Sequence, residues 1–415
     1  MKRLFGAVLV SLVMFVTSCK KAENPEVQVT PEENLPVMEL DGNLQLCYMD
    51  ANSTKTLIKF ETETQWEIRF ETYDGESVDW IKASPSSGNA GIQNVEVSID
   101  LNRNADARIV RIIVHSTDGS TVRSSDIENI VDTYQSICFT ASVFQYGYYD
   151  SVYGDPVKFK PDSETRLQTL VDEYVEQQEC SYSDLVYLNI NGILLDADFT
   201  FIRNYLSELK VLDMFDVDIT EIPDNAFYGC ASLHYVTLPL YLKRIGGNAF
   251  MSTGLKNINL FIPPLLEYVG ANAFANTNIA GSLIFSGLVS EIDISGGAFE
   301  SPYIGSVIFS EGIRTINGDV SSPFDHLGAM YLPGSLSFVS ASYIRDASAI
   351  FCYPDCPPAT DDRHGMRPGT VGMLYVPFVN PPEDSPYASY DVEKDRGWEG
   401  FYSPCPAYNK LCPCL

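Results

Sequence analysis

The sequence predicts a mainly β chain, an antiparallel β-sandwich followed by a solenoid of short strands joined by helical turns. Three observations predict it. A phrase ending in Ala-Phe recurs at Phe227, Phe250, Phe274 and Phe299, with a degenerate copy running to Phe324. A period of about 20–29 residues belongs to stacked repeats, in which no unit buries its own apolar face. From Val37 to Gln145 apolar and polar residues alternate instead, which is the period of half-buried strands. Finally, 415 residues are too many for one core and predict two or three domains.

The chain opens on Lys2 and Arg3, then an apolar run from Leu4 to Val16 that ends in Val16-Thr-Ser-Cys19. A basic start with so short a run predicts an export signal over 1–18, since a span needs about 20 apolar residues. The position of Cys19 resembles a bacterial lipobox, which implies cleavage before Cys19 and lipid attachment to its thiol. An ordinary export signal with an incidental cysteine is the alternative. Residues 19–36 are polar and proline-rich and read as a flexible tether. The expected location is therefore exported and lipid-anchored to the outer membrane, at the cell surface. Lys20-Lys21 lacks the acidic run that resembles a surface-export tag, so the face of that membrane stays open.

Over 37–146 the strand phrases are Leu57–Phe60, Trp66–Phe70, Val95–Ile99, Ile109–Val114 and Phe139–Gln145, with turns at Asp74-Gly75 and Ser84–Gly88. Trp66, Val78-Asp-Trp80-Ile-Lys-Ala-Ser-Pro85-Ser-Ser-Gly88, Asn102, Asn104, Arg108 and the closing Gln145 resemble the BACON domain. That resemblance implies an immunoglobulin-like β-sandwich, and its family name suggests carbohydrate binding, with a spacer role as the alternative. The polar insertion Ser116–Ser136 departs from the pattern. Trp66 and Trp80 could stack on sugar rings, but tryptophans at such places more often fill the core.

Residues 147–180 read as linker and N-terminal cap, the helical spacing of Arg166–Val175 covering the solenoid's first edge. Repeats are expected over 181–350, starting at the strand Tyr187–Ile190 and continuing through Leu206–Met214. Their strand phrases are Leu233–Leu238, Leu255–Leu260, Ile279–Phe285, Ile304–Phe309 and Leu327–Leu332, each reading apolar-x-x-apolar-x-apolar apart from one extra residue in the third. The Asn-Ala-Phe phrase fits a short helical turn, with Asn satisfying orphan N–H groups at its start. Ala226-Phe227-Tyr-Gly-Cys230-Ala-Ser-Leu233-His-Tyr-Val236-Thr-Leu238-Pro239 resembles the BspA-type leucine-rich repeats of bacterial surface proteins. A leucine-rich-repeat solenoid is therefore the expected fold of this half.

Residues 351–415 read as a cysteine-rich C-terminal cap. With Cys19 acylated, nine cysteines remain, an odd number. One or two disulfides near the end are expected, with a zinc site from Cys352, Cys356, Cys412 and Cys414 as the weaker alternative. Cys230, inside a repeat, reads as a core thiol. No metal or other cofactor is expected.

Charge narrows the function. There are 27 Lys and Arg against 55 Asp and Glu, a net of −28. Loss of Lys2 and Arg3 with the leader leaves 25 against 55, or −30. Phosphate contacts need a basic surface, so nucleic acid is excluded as a partner. His115, His234, His326 and His364 are scattered, and no nucleophile or phosphate-loop motif appears, which predicts no enzyme and no catalytic residues. Residues flanking each strand's central position should line an open face: Val211 and Asp213, Tyr235 and Thr237, Asn257 and Asn259, Ser282 and Ile284, Ser306 and Ile308, Ala329 and Tyr331. Eleven of these twelve are uncharged. From them Tyr235, Thr237, Asn257, Asn259, Ile284, Ile308 and Tyr331 are expected to bind an extracellular or host protein, adhesin-like. Plain β-propensity, or loops lying over the face, would explain the same composition. Glycan capture through the first domain is the alternative function, and an uncharacterised hydrolase the third.

Overall fold

The computed structural model describes residues 37–39, 44–49, 54–62, 64–71, 78–104, 106–116, 122–123, 138–145, 147, 149–285, 288–310, 312–319, 321–344, 347–352, 358–361, 372–375 and 398–402. The leader and Cys19 lie outside them, as do Cys356, Cys405, Cys412 and Cys414.

The chain is mainly β. Its second half is a solenoid built of stacked parallel strands. One sheet holds Val157–Phe159, Tyr187–Ile190, Val211–Asp213 and Tyr235–Thr237 in that order. A second continues the same course with Ala280–Phe285, Phe299–Phe309, Phe324–Leu332, Ala347–Cys352, Gly372–Tyr375 and Trp398–Tyr402. An isolated bridge between Ile258 and Ala280 lies between them. A third sheet of six short strands, from Glu221–Ile222 to Phe338–Val339, supplies Ile222, Ile245, Val269, Ile294, Ile316 and Val339 to the core.

The phenylalanines are the rungs of that core. Successive rings from Phe227 through Phe250, Phe274 and Phe299 to Phe324 stack at 5.0, 5.0, 5.2 and 5.3 Å. All five belong to one buried cluster. Backbone bonds run beneath the rings: Phe227, Phe250 and Phe274 each donate to a carbonyl of the next unit at 2.7 Å. Tyr343 closes the column edge-on to Phe324 and Phe309.

The phrase before each ring is a non-helical turn, which corrects the expected helical turn. Asn225, Asn248 and Asn272 stand at φ 58, 53 and 56, and Gly297 replaces them at φ 70 in the fourth copy. Asn is used because its short polar side chain tolerates the left-handed region. Those side chains also bond one to the next: Asn248 Nδ2 donates to Asn225 Oδ1 at 3.3 Å, and Asn272 Nδ2 to Asn248 Oδ1 at 3.5 Å. Gly270 is required by closeness, since a Cβ there would stand 2.5 Å from Gly247 N.

The cap is larger than expected. Helix Leu167–Gln178 buries Leu167 and Val171, as its spacing predicts, but a second helix, Asp196–Tyr205, accompanies it. Asp198, 1% exposed, accepts from Leu167 N at 3.1 Å and Leu195 N at 2.8 Å and pairs with Arg166. The parallel sheet starts one strand earlier than expected, at Val157–Phe159. At its other end Gly372–Tyr375 and Trp398–Tyr402 prolong the sheet beyond residue 350.

One unit breaks the pattern. Leu255–Leu260 forms no strand, Ile258 is exposed, and Asn257 is buried. The Asn257 amide bonds both backbone groups of Val236, Oδ1 from the N–H at 3.4 Å and Nδ2 to the carbonyl at 3.2 Å. A carboxamide mimics a peptide group and restores the ladder where the strand is lost. Asn259, at φ 57, accepts from Ser282 N at 2.9 Å, and Gly281 beside it leaves no room for a Cβ. The register shifts at Gly281/Ser282, which pair with Ile304 and Ser306, so the unpaired residue is Gly305 of the next strand.

The N-terminal half holds a six-stranded and a four-stranded sheet around Ile58, Phe60, Trp66, Ile81, Val95, Val97, Ile99, Val110, Ile112 and Val114. All five expected strand phrases lie in strands, while Leu44–Met49, parallel to Cys138–Gln145, was not foreseen.

Candidate functional site

The open face of the ladder has two register lines. The first runs Tyr187, Val211, Tyr235, then, past the broken unit, Ser282, Ser306, Ala329 and Ala349. The second runs Asn189, Asp213, Thr237, then Ile284, Ile308, Tyr331 and Phe351. Inward neighbours alternate with them, as a pleated strand requires. Large rings therefore share the N-terminal half with polar groups. In the C-terminal half small residues lie beside large apolar ones.

That face is partly closed. Tyr235, Thr237, Asn257 and Ile308 are 6%, 5%, 7% and 4% exposed, so four of the seven expected contact residues are not on the surface. Asn259, Ile284 and Tyr331 are half-buried. Over the N-terminal half the cover is the chain's own linker. Tyr149 packs on Tyr235 at 5.0 Å and edge-on to Tyr187 at 6.0 Å, and Tyr153 packs on Tyr235 at 6.2 Å. The Tyr153 hydroxyl lies 3.2 Å from His234 Nδ1. Burial, then the nearby Asp106, pushes the Tyr235 phenol up to about 12. The N-terminal half adds a second cover: Asn259 Nδ2 donates to Ala107 O at 3.3 Å, and Ile258 N bonds the Asp106 carboxylate.

Asp213 lies beside this cover, half-buried. Its Oδ2 accepts from Asn189 Nδ2 at 2.6 Å and its Oδ1 from Phe215 N at 3.1 Å. Burial raises its carboxyl above the usual carboxylate range, against these two bonds. Sequence reasoning placed Asp213 on this face but passed over it as the exception in a neutral stripe. Tyr149 gave no signal at all, because a linker tyrosine has no periodicity to mark it.

In the C-terminal half Ser282 and Ser306 hydroxyls bond at 2.7 Å, and Tyr331 stacks on Phe351 at 4.5 Å with planes 7° apart. Elsewhere, Trp66 is buried edge-on to Phe60 and donates to Asn89 O at 3.1 Å. Trp80 packs against the N-terminal core with the Arg108 guanidinium 4.0 Å over its ring. Burial pushes the Cys230 thiol up to about 11, against the pull of Arg203. Among the described residues no three His, Cys, Asp or Glu side chains gather as a metal site, and no helix is long and apolar enough to cross a membrane.

Residues 215–349 match the BspA type leucine rich repeat region, in six copies. No curated protein matches the chain. Among solved structures, it is similar to a Bacteroides ovatus GH5 xyloglucanase in complex with a XXXG heptasaccharide. Identity is 11% over 58% of this chain and 70% of that one, with a TM-score of 0.20, too low to bear on fold or function.

Proposed function

We propose that this BspA-type repeat protein is a non-catalytic lipoprotein of the cell envelope that binds an extracellular or host protein through its repeat surface. In this reading residues 1–18 are removed, Cys19 carries the lipid, and residues 19–36 hold the folded part off the outer membrane at the cell surface. The N-terminal unit is an immunoglobulin-like β-sandwich of BACON type and serves as a spacer.

The observation that carries the reading is the second register line. On a chain of net charge −28, Tyr331 and Phe351, with Ile284 beyond the buried Ile308, give an uncharged, part-exposed stretch beside small residues. A neutral, apolar and aromatic strip is the composition that protein partners select. The Tyr331 and Phe351 rings stack on one another, so each has one face already taken and unavailable to a sugar ring. The glycan alternative has less support in the first unit as well, with Trp66 enclosed and Trp80 roofed by Arg108.

The test is capture of immobilised host matrix proteins and mucins by the full chain, compared with Ile284→Glu and Tyr331→Glu. Retained far-UV circular dichroism with lost capture supports the reading. Equal capture by folded variants defeats it.

A further inference from the structure

The part of the open face that Tyr149 covers has the chemistry of a cation site. Tyr149, Tyr187, Tyr235 and Val211 form a small cluster apart from the main core, with Tyr153 at its edge. The hydroxyl of Tyr149 bonds Thr237 and lies in the field of Asp213. Among the described residues no ion pair reaches Asp213, and Lys158 acts on it only from a distance. A half-buried carboxylate among phenol rings, with no cation paired to it, is costly to ionise. Ring faces beside a carboxylate are what an ammonium or guanidinium group prefers. Tyr235 already receives one: Lys256 Nζ stands 5.4 Å from its centroid.

The floor and the cover differ in how they are held. Tyr187, Val211 and Tyr235 belong to parallel strands in continuous register. The cover is a four-residue helix, Asp150–Tyr153, between Gly147 and Gly154. Gly154 stands at φ 80, with open space around it. A short glycine-flanked segment can swing without disturbing the sheet beneath.

We propose that Tyr187, Tyr235 and Asp213 form a subsite for a lysine or arginine side chain of the partner, closed by Tyr149 until the segment 149–153 lifts. The proposal rests on the reading of the repeat face as a protein-binding surface and adds the partner's chemistry. A basic partner also complements a chain of net charge −28.

The experiment titrates Nα-acetyl-lysine amide, with Nα-acetyl-norleucine amide as its uncharged counterpart, into the full chain, Tyr149→Ala and Tyr149→Ala/Asp213→Asn. Saturable binding of the lysine amide to Tyr149→Ala is expected. It should be about tenfold or more weaker in the wild type, in the double variant and for norleucine amide. No saturable binding to a folded Tyr149→Ala overturns the proposal, as does equal binding of norleucine amide or indifference to Asp213→Asn. Should Tyr149→Ala fail to fold, the wild type decides. The Tyr153 hydroxyl of the cover lies 3.2 Å from His234 Nδ1. Saturating lysine amide should part them and shift the His234 ring resonances, and unchanged resonances overturn the proposal. The probe is not a protein, so its result is independent of matrix-protein capture.

Discussion

Replacing Phe274 by alanine tests whether the array's stability resides in its column of rings. Phe274 is wholly buried between Phe250, 5.0 Å away with planes 4° apart, and Phe299, 5.2 Å away at 9°. Truncating a buried phenylalanine costs about 3–5 kcal/mol in transfer and cavity terms. Two lost ring pairs add about 0.5–1.5 kcal/mol each. The upper part of the range applies here, because the neighbouring rings are held by their own backbone bonds and cannot close the gap. Urea unfolding followed by far-UV circular dichroism reads the loss, about 5–8 kcal/mol, as a lower midpoint. Neighbours should couple: Phe250→Ala with Phe274→Ala is expected to depart from additivity by about 0.5–3 kcal/mol. Phe250→Ala with Phe324→Ala, three rungs apart, should add within about 0.5 kcal/mol. A single-variant loss below about 1 kcal/mol, or equal coupling in both pairs, refutes the reasoning.

Gly270→Ala brings a methyl group to 2.5 Å from Gly247 N and 2.8 Å from Gly246 C. Because the obstacle is backbone, a loss of about 1–3 kcal/mol in the same assay is expected, and an unchanged midpoint would show that the turns are not in contact. At Asn248, φ 53, alanine should cost about 1–2 kcal/mol from the left-handed backbone alone, and glycine less; the reverse order would dismiss the role given to Asn. The raised carboxyl of Asp213 makes the cover pH-dependent. Its folded value lies above its unfolded one, so the closed state gains stability in acid and loses it as pH rises through the folded value. Asp216 reinforces that shift and Lys158 opposes it. The Tyr149–Tyr235 ring contact, read as a nuclear Overhauser effect, should therefore be stronger near pH 4 than near pH 7, a difference that Asp213→Asn removes.

Much of the architecture was legible because it is periodic. The Ala-Phe phrase located the five rings, and the apolar spacing of Arg166–Val175 located a capping helix. The second cap helix, Asp196–Tyr205, was overlooked although Phe199, Ile202 and the following Leu206 stand at helical spacing and are buried. Leu255–Leu260 matched the strand pattern letter for letter yet forms no strand. Its asparagines supply through side chains what a neighbouring backbone would otherwise provide. The third sheet was missed because four of its six strands are two residues long and carry no alternation to detect.

Repetition along the chain determined by itself that units stack, which side chains point inward and that the open face is nearly free of charge. Each of those follows from local spacing, since a unit meets only copies of itself. What covers that face depended on contacts between segments far apart in sequence, Tyr149 with Tyr235 and Ala107 with Asn259. Local pattern carries no record of such meetings. Only the tertiary structure therefore decided that Tyr235, Thr237 and Asn257 are shut away and that Asp213 shares its surroundings with Tyr149.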